Sequence, residues 1–284
     1  MNRGSLTPTT LVRKPLQFAL RSVETVQSGS ALGDAVRSSR DAILSYHAVG
    51  ERSDAGYFGN ISTERFRESI EYLVANADIV PLSAIPKEGS GRRVAVTFDD
   101  GLKSVYTDAL PILREYDVPA TVFLNPAFLD DRNRELAVAR HGIDDTGPIM
   151  LGDEAVAELV EDPLITVGNH TLTHRDLSAV DDTETLRTEI IESKHRLEDR
   201  YGISVEQFSY PHGAFSERSR RLVEATHEIS VTAASFLVDE GVRHQLPRLS
   251  GHKSPRAFRW GLTSAGDRLN RVRYHISNRR RTDV

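Results

Sequence analysis

The chain has 284 residues, 39% of them hydrophobic and 27% charged, enough apolar content for one sizeable core in an α/β barrel or in one to two smaller domains. It contains no cysteine, so a disulfide framework and a thiolate metal site are both excluded, and any metal must be held by His, Asp or Glu. The net charge of −5 is mild and the basic residues, mostly Arg, are spread along the chain, so no nucleic-acid-binding face is expected.

Residues 1–40 are rich in Ser, Thr and Gly without a sustained pattern and read as an N-terminal arm. Its apolar stretch, Leu16 to Leu20, is short and interrupted by Gln17, which fits neither a secretion signal nor a membrane span; a short amphipathic helix docked on the body is the better reading. The expected location is the cytoplasm or its membrane face. One domain is expected over 41–255, followed at 256–284 by a C-terminal helix and basic tail. There Arg279-Arg280-Arg281 reads as a solvated terminus, with weak contact to a membrane surface as the alternative.

Ala42 to His47 is a short apolar run expected to form a buried strand that ends in a histidine. Ser62 or Thr63 caps a helix with Phe66, Ile70, Leu73 and Val74 on one face, and Ile79 to Leu82 reads as a short strand or edge. The alternation of Val94, Val96 and Phe98 marks a strand that runs into Asp99, Asp100 and Gly101. Val105, Leu110, Ile112 and Leu113 predict a helix with a kink at Pro111, and Ala120 to Leu124 a buried strand. Between Asn125 and Met150 the pattern lapses into a polar loop of the kind that walls a substrate site.

A helix over Ala155 to Val160 precedes a strand at Leu164 to Gly168, which leads into Asn169-His170-Thr171-Leu172-Thr173-His174. A long helix then runs from Asp181 or Asp182 to Tyr201. Gln207 to Tyr210 is the next strand, closed by Pro211-His212-Gly213; a helix near Leu222, a strand at Ile229 to Ala233 and a last strand at Leu246 to Leu249 follow. Beyond Ser254 the chain is helix-like near Phe258 to Leu262, then basic and unpatterned. About seven strand–helix units predict a parallel sheet curled into a barrel, with function gathered at the C-terminal strand ends.

Each chemically distinctive group falls at such an end: His47, Asp99 with Asp100, His170 with His174, and Tyr210-Pro211-His212-Gly213. Adjacent residues of a strand point opposite ways, so the two acids either do different jobs or sit where the strand has broken at Gly101. Two histidines four apart can aim at one point. With a carboxylate from another strand end they complete a two-histidine, one-carboxylate face that leaves positions open for water and substrate.

Thr-Phe-Asp-Asp-Gly at 97–101 and His-Thr-Leu-Thr-His at 170–174 resemble the first two motifs of the polysaccharide deacetylase family, also called carbohydrate esterase family 4 or the NodB-homology domain. The likeness covers about 42–250. It implies a distorted (β/α)7-type barrel as a single catalytic domain, a divalent metal, usually zinc, and hydrolysis of the acetamido group of an N-acetylated sugar in a polysaccharide or glycoconjugate. It also implies that Asp100, His170 and His174 hold the metal and that Asp99 is the general base.

Two departures from the family pattern stand out. No late Leu-x-His motif supplies the usual general acid, but Tyr46-His47 resembles the opening strand of a branch that includes poly-N-acetylglucosamine deacetylases, which favours His47 as the acid over His252. Phe208 to Gly213 resembles the third motif, with Ser209 where many members have a base-orienting arginine; Arg248, within Leu246 to Leu249, is expected to do that work from another strand. Tyr210, His212 and Gly213 are assigned to substrate and oxyanion contacts, through a backbone N–H at His212 and a turn that Gly213 permits. Two other readings are a catalytically silent carbohydrate-binding protein on the same fold and a non-haem iron oxygenase using the same ligand types.

Overall fold

The computed structural model describes residues 38–50, 60–89, 91–141 and 149–282. Nearly all of the expected N-terminal arm, including Leu16 to Leu20, lies outside the described residues. Eight strands form one parallel sheet: β1 (Ala42–Tyr46), β2 (Asp78–Ile79), β3 (Arg93–Phe98), β4 (Ala120–Leu124), β5 (Ile165–Asn169), β6 (Gln207–Ser209), β7 (Ile229–Val231) and β8 (Leu249–Ser250). Their spatial order is β7-β6-β5-β4-β3-β1-β8, with β2 added beside β3. Such strands are apolar on both faces because helices cover one side and the barrel interior the other.

Alternation sorts the strand side chains between two cores. Leu44, Val94, Val96, Val122 and Leu124 face outward and pack with Phe66, Ile70 and Leu73 of helix α1 (Thr63–Asn76). Ile43, Ala95, Phe123, Val231 and Leu246 form the second, interior cluster. The sheet curls until its ends meet, because Leu246 bridges to Val231 while Leu249, three residues on, pairs with Leu44 of β1. The segment before β8 therefore touches both edges of the sheet.

Ser62 caps α1 as expected, its hydroxyl accepting from the Arg65 N–H at 3.3 Å. Several boundaries differ from the sequence expectations. The strand anticipated at Ile79 to Leu82 is only two residues long, since Pro81 has no N–H for a ladder and the chain turns into a 3₁₀ segment at Leu82–Ala84. The kink anticipated at Pro111 is a π-helical turn, Val105–Ala109, leading into α2 (Leu110–Tyr116). The loop expected at 125–150 contains a two-turn helix, α3 (Arg134–His141), whose only buried apolar residue is Ala137, too little to show as a stripe.

Helix α4 (Asp153–Glu161) matches its expectation. The long helix after Asp182 is α5 (Thr183–Arg187) and α6 (Ser193–Tyr201) joined by a π-helical turn, Thr188–Glu192. After α7 (Glu217–Thr226) and α8 (Pro255–Gly261) the chain, unpatterned in sequence, continues as α9 (Ser264–Thr282). No described helix is long and apolar enough to cross a membrane.

One buried histidine secures the end of β5. His227, at the end of α7, meets the Asn169 amide through Nε2 (3.2 Å) and the Thr226 hydroxyl through Nδ1 (3.0 Å). The Asn169 nitrogen only donates, so Nε2 is the lone-pair nitrogen and protonating it would set donor against donor. Burial, together with Lys194, lowers its pKa from 6.5 to about 3. Between those values the unfolded chain takes up a proton that the folded chain refuses, so stability is complete above pH 6.5 and declines as the pH falls. We predict that His227→Gln removes up to one proton, about 1.4 kcal/mol per pH unit, from the acid-side slope of stability. Urea unfolding at pH 5 and pH 7 checks this, and an equal wild-type-to-variant difference at the two pH values refutes it.

Candidate active site

The two acids at the end of β3 part company in the backbone. Thr97 and Asp99 share the inward phase of the strand with Ala95, while Asp100 adopts φ 74° and Gly101 φ 67°. The strand thus breaks at this point, and the two carboxylates face different partners. Asp99 is 4% exposed and is gripped by Arg248, itself 3% exposed. Nη1 and Nη2 of the guanidinium reach Oδ1 and Oδ2 at 2.8 and 2.7 Å. The remaining donors go to Thr97 Oγ1 (3.1 Å), Ser209 Oγ (3.0 Å) and the Thr232 carbonyl (3.0 Å). Burial acts to raise the Asp99 pKa, but Arg248, with His170 and His47 behind it, outweighs this and holds it at about 2.

Asp100 faces the histidines. Its Oδ1 lies 3.3 Å from Nε2 of His170 and 3.3 Å from Nε2 of His174, and one donor atom from each of the three residues falls within a 4.8 Å span. Two donors bound at about 2.0–2.2 Å to one tetrahedral centre stand roughly 3.3–3.6 Å apart, so the buried trio fits a divalent cation. The His170 ring is set for this role: its Nδ1 lies 2.7 Å from the Ser209 carbonyl, which can only accept, so the Nδ1 proton is committed there and Nε2 turns to Asp100. Burial lowers the His174 pKa to about 2, with His170, His141 and His212 adding to it against Asp100. The Asp100 carboxyl, raised by burial, is brought well below its ordinary value by His141, His174 and the His170 hydrogen bond.

The two histidines stand on a loop, not a helical turn, with positive φ at Thr171 (67°) and His174 (51°). Such a loop needs partners for its backbone, and buried side chains supply them. The Asn125 amide donates to the carbonyls of His170 and Thr171. The Asn169 side chain accepts from the Thr171 N–H (3.1 Å) and from the Ser193 hydroxyl (2.7 Å), and donates to the Ile190 carbonyl (2.9 Å). Glu189, 3% exposed, accepts from the N–H of Thr173 (2.9 Å) and from its hydroxyl (2.5 Å), while its own carbonyl accepts from the Leu172 N–H (3.0 Å).

The remaining expected residues gather unevenly. His47 lies at the end of β1 with Nε2 3.9 Å from Asp99 Oδ2, half-buried at the site's rim. His252 meets the Ser250 hydroxyl through Nδ1 at 2.7 Å. His212 is exposed, with φ 58° and its ring centroid 4.8 Å from that of His174. Gly213 has φ 67°, and a Cβ there would lie 2.4 Å from the Ala233 nitrogen, so the turn needs glycine on both counts.

Tyr210 corrects an expectation. It is 0% exposed, its ring 5.0 Å from Phe208 and 4.9 Å from Phe215, because Ser209 takes the inward position toward Arg248 and its neighbours point into the outer core. The Tyr210 side chain therefore presents nothing to a substrate. Sequence reasoning passed over Glu189 and His141. The second ends α3 with its side chain buried and Nδ1 3.5 Å from Asp100 Oδ1; a histidine within a polar stretch was its only signal.

Comparison with known proteins agrees with this geometry. The model of the polysaccharide deacetylase family matches residues 87–229. The chain is 23% identical over 228 residues to the polysaccharide deacetylase homologue YxkH of Bacillus subtilis (strain 168), covering 78% of this chain and 74% of that one. Over 100 residues it is 36% identical to a chitooligosaccharide deacetylase of Sinorhizobium fredii, covering 34% of this chain and 37% of that one. Two solved structures share the fold. IcaB from Ammonifex degensii has a TM-score of 0.66 at 21% identity, covering 78% of this chain and 95% of its own. The Streptococcus pyogenes deacetylase PplD in complex with acetate has a TM-score of 0.64 at 19% identity, covering 78% and 98%. Because the family match spans half of the chain and includes both acids and both histidines of the site, the chain belongs to the polysaccharide deacetylase family, hydrolases that act on carbon–nitrogen bonds.

Proposed function

We propose that this protein is a metal-dependent hydrolase that removes acetyl groups from N-acetylated sugars of a polysaccharide or glycoconjugate. The observation that carries the reading is the buried Asp100–His170–His174 trio beside a carboxylate, Asp99, that Arg248 fixes in place. In this reading Asp100 Oδ1 and the Nε2 atoms of His170 and His174 hold the cation. When bound, a divalent cation such as zinc polarises the amide carbonyl and lowers the pKa of water.

The protein's own groups supply the proton transfers and the orientation. Asp99, ionised at neutral pH and unable to rotate because both its oxygens are held by Arg248, accepts the proton of the attacking water. The backbone N–H of His212, in the turn that Gly213 permits, donates to the oxygen that becomes negative as the tetrahedral centre forms. His47, whose Nε2 lies 3.9 Å from Asp99 Oδ2, gives a proton to the departing sugar amine, leaving acetate and the free amine. With the base, its arginine and three donors all assembled, hydrolysis is favoured over silent carbohydrate binding.

Acetate release from N-acetylglucosamine oligomers is predicted to stop on chelation and to return with added zinc. Asp99→Asn, which leaves the Arg248 charge uncompensated and lowers stability, is predicted to remain folded and keep its metal at assay temperature yet lose about 10²–10⁴-fold in kcat. Full turnover by the metal-loaded Asn variant removes Asp99 from the role of base. His47→Ala is expected to lose about 10²–10⁴-fold in kcat with metal content unchanged, while His252→Ala stays near wild type. The reverse ranking in parallel acetate assays transfers the acid role to His252.

A further inference from the structure

Three imidazoles, not two, converge on the Asp100 carboxylate. His141 Nδ1 lies 3.5 Å from Asp100 Oδ1, beside the 3.3 Å separations of His170 and His174 from the same oxygen. Its side chain is 1% exposed, and neither ring nitrogen has a hydrogen-bond partner among the described residues. The ring is held edge-on by Phe128, at 5.5 Å between centroids and 81° between planes, and lies 4.4 Å from the His174 ring.

Hydrogen bonding does not account for this convergence. One carboxylate oxygen offers about two lone-pair sites, too few for three imidazole donors. The 3.5 Å separation is also too long for an ordinary N–H···O bond. It does match the roughly 3.3–3.6 Å that separates two donors on one tetrahedral cation. Buried polar groups are almost always paired with protein, water or an ion, and this imidazole stands beside the three donors that share a 4.8 Å span, outside that span itself, so joining them takes an inward shift of the ring.

We propose that His141 is a fourth protein donor to the divalent cation held by Asp100, His170 and His174, making a three-imidazole, one-carboxylate set. This rests on the metal-dependent reading above and deepens it. A fourth protein donor occupies a position that catalytic zinc sites usually leave to water, so water and substrate bind either by raising the coordination number or by displacing His141. The donor also arrives on α3, a helix with Ala137 as its only buried apolar residue, so the cation becomes an anchor for that helix.

The test strips the full-length protein of metal, titrates it with zinc against a chromogenic chelator, and records the visible absorption of the cobalt(II) form. Four proteins are compared: wild type, His141→Ala, His141→Phe, which keeps an aromatic ring against Phe128, and His170→Ala. The two His141 variants are expected to bind zinc at least about tenfold more weakly than wild type and to shift the cobalt absorption bands, while His170→Ala weakens binding still further. Wild-type affinity and superimposable cobalt spectra in both His141 variants, with binding lost in His170→Ala, overturn the fourth donor and leave the three-donor site standing. Undiminished binding in His170→Ala overturns the metal site itself.

Discussion

The Arg248–Asp99 pair is the contact through which strand geometry becomes electrostatics. Removing two charges from water is costly, and a buried pair is tolerated only when nearly every donor and acceptor is met. Here the three guanidinium nitrogens make five bonds: two to Asp99 and one each to Thr97, Ser209 and the Thr232 carbonyl. The arginine thereby links β3, β6 and the residues after β7 to the segment that leads into β8. Loss of either partner leaves an uncompensated charge in the barrel, a change of about 3–5 kcal/mol. The same pair is what allows a carboxylate to remain ionised where burial alone would protonate it.

A division of labour follows from the backbone. Asp99 continues the inward phase of β3 and so meets Arg248, whereas the left-handed conformation at Asp100 swings the next carboxylate onto the histidine loop. Lysine at 248 could not reproduce the arrangement, because a single ammonium cannot hold both oxygens of Asp99 while also reaching Thr97, Ser209 and Thr232. On the other side, Glu189 and Asn169 stiffen the His170–His174 loop from the π-helical turn and from β5, so both histidines that face Asp100 stand on supported backbone.

Much of this was legible in the sequence. Strands buried on both faces appear as apolar runs, and polar residues at their C-terminal ends appear as interruptions, which is how Asp99, Asp100, His170 and His174 declared themselves. The placement of Arg248 followed from noticing a serine where an arginine is usual, and Ser209 proves to accept a hydrogen bond from that arginine. What escaped notice lacked a periodic signal. Helix α3 buries only Ala137 among its apolar residues, so neither the helix nor His141 at its end stands out from a polar stretch. Glu189 stands three residues after Leu186 at the edge of the apolar face, and a charged side chain at such an edge reads as solvent-facing although here it is buried against the histidine loop.

The position of Arg248 in the chain orders the assembly of the site. Asp100, His170 and His174 all precede Arg248 in the chain and stand at the ends of β3 and β5, with only β4 between them. Asp99 must wait for a residue 149 positions downstream, beyond the end of the family match at 229. Closing so long a loop carries an entropic cost that only the finished ring of strands repays, so the two halves of the site mature at different times during synthesis. Asp100 and the two histidines can thus come together before Asp99 has been clamped, and the Arg248–Asp99 contact arrives with the last strand.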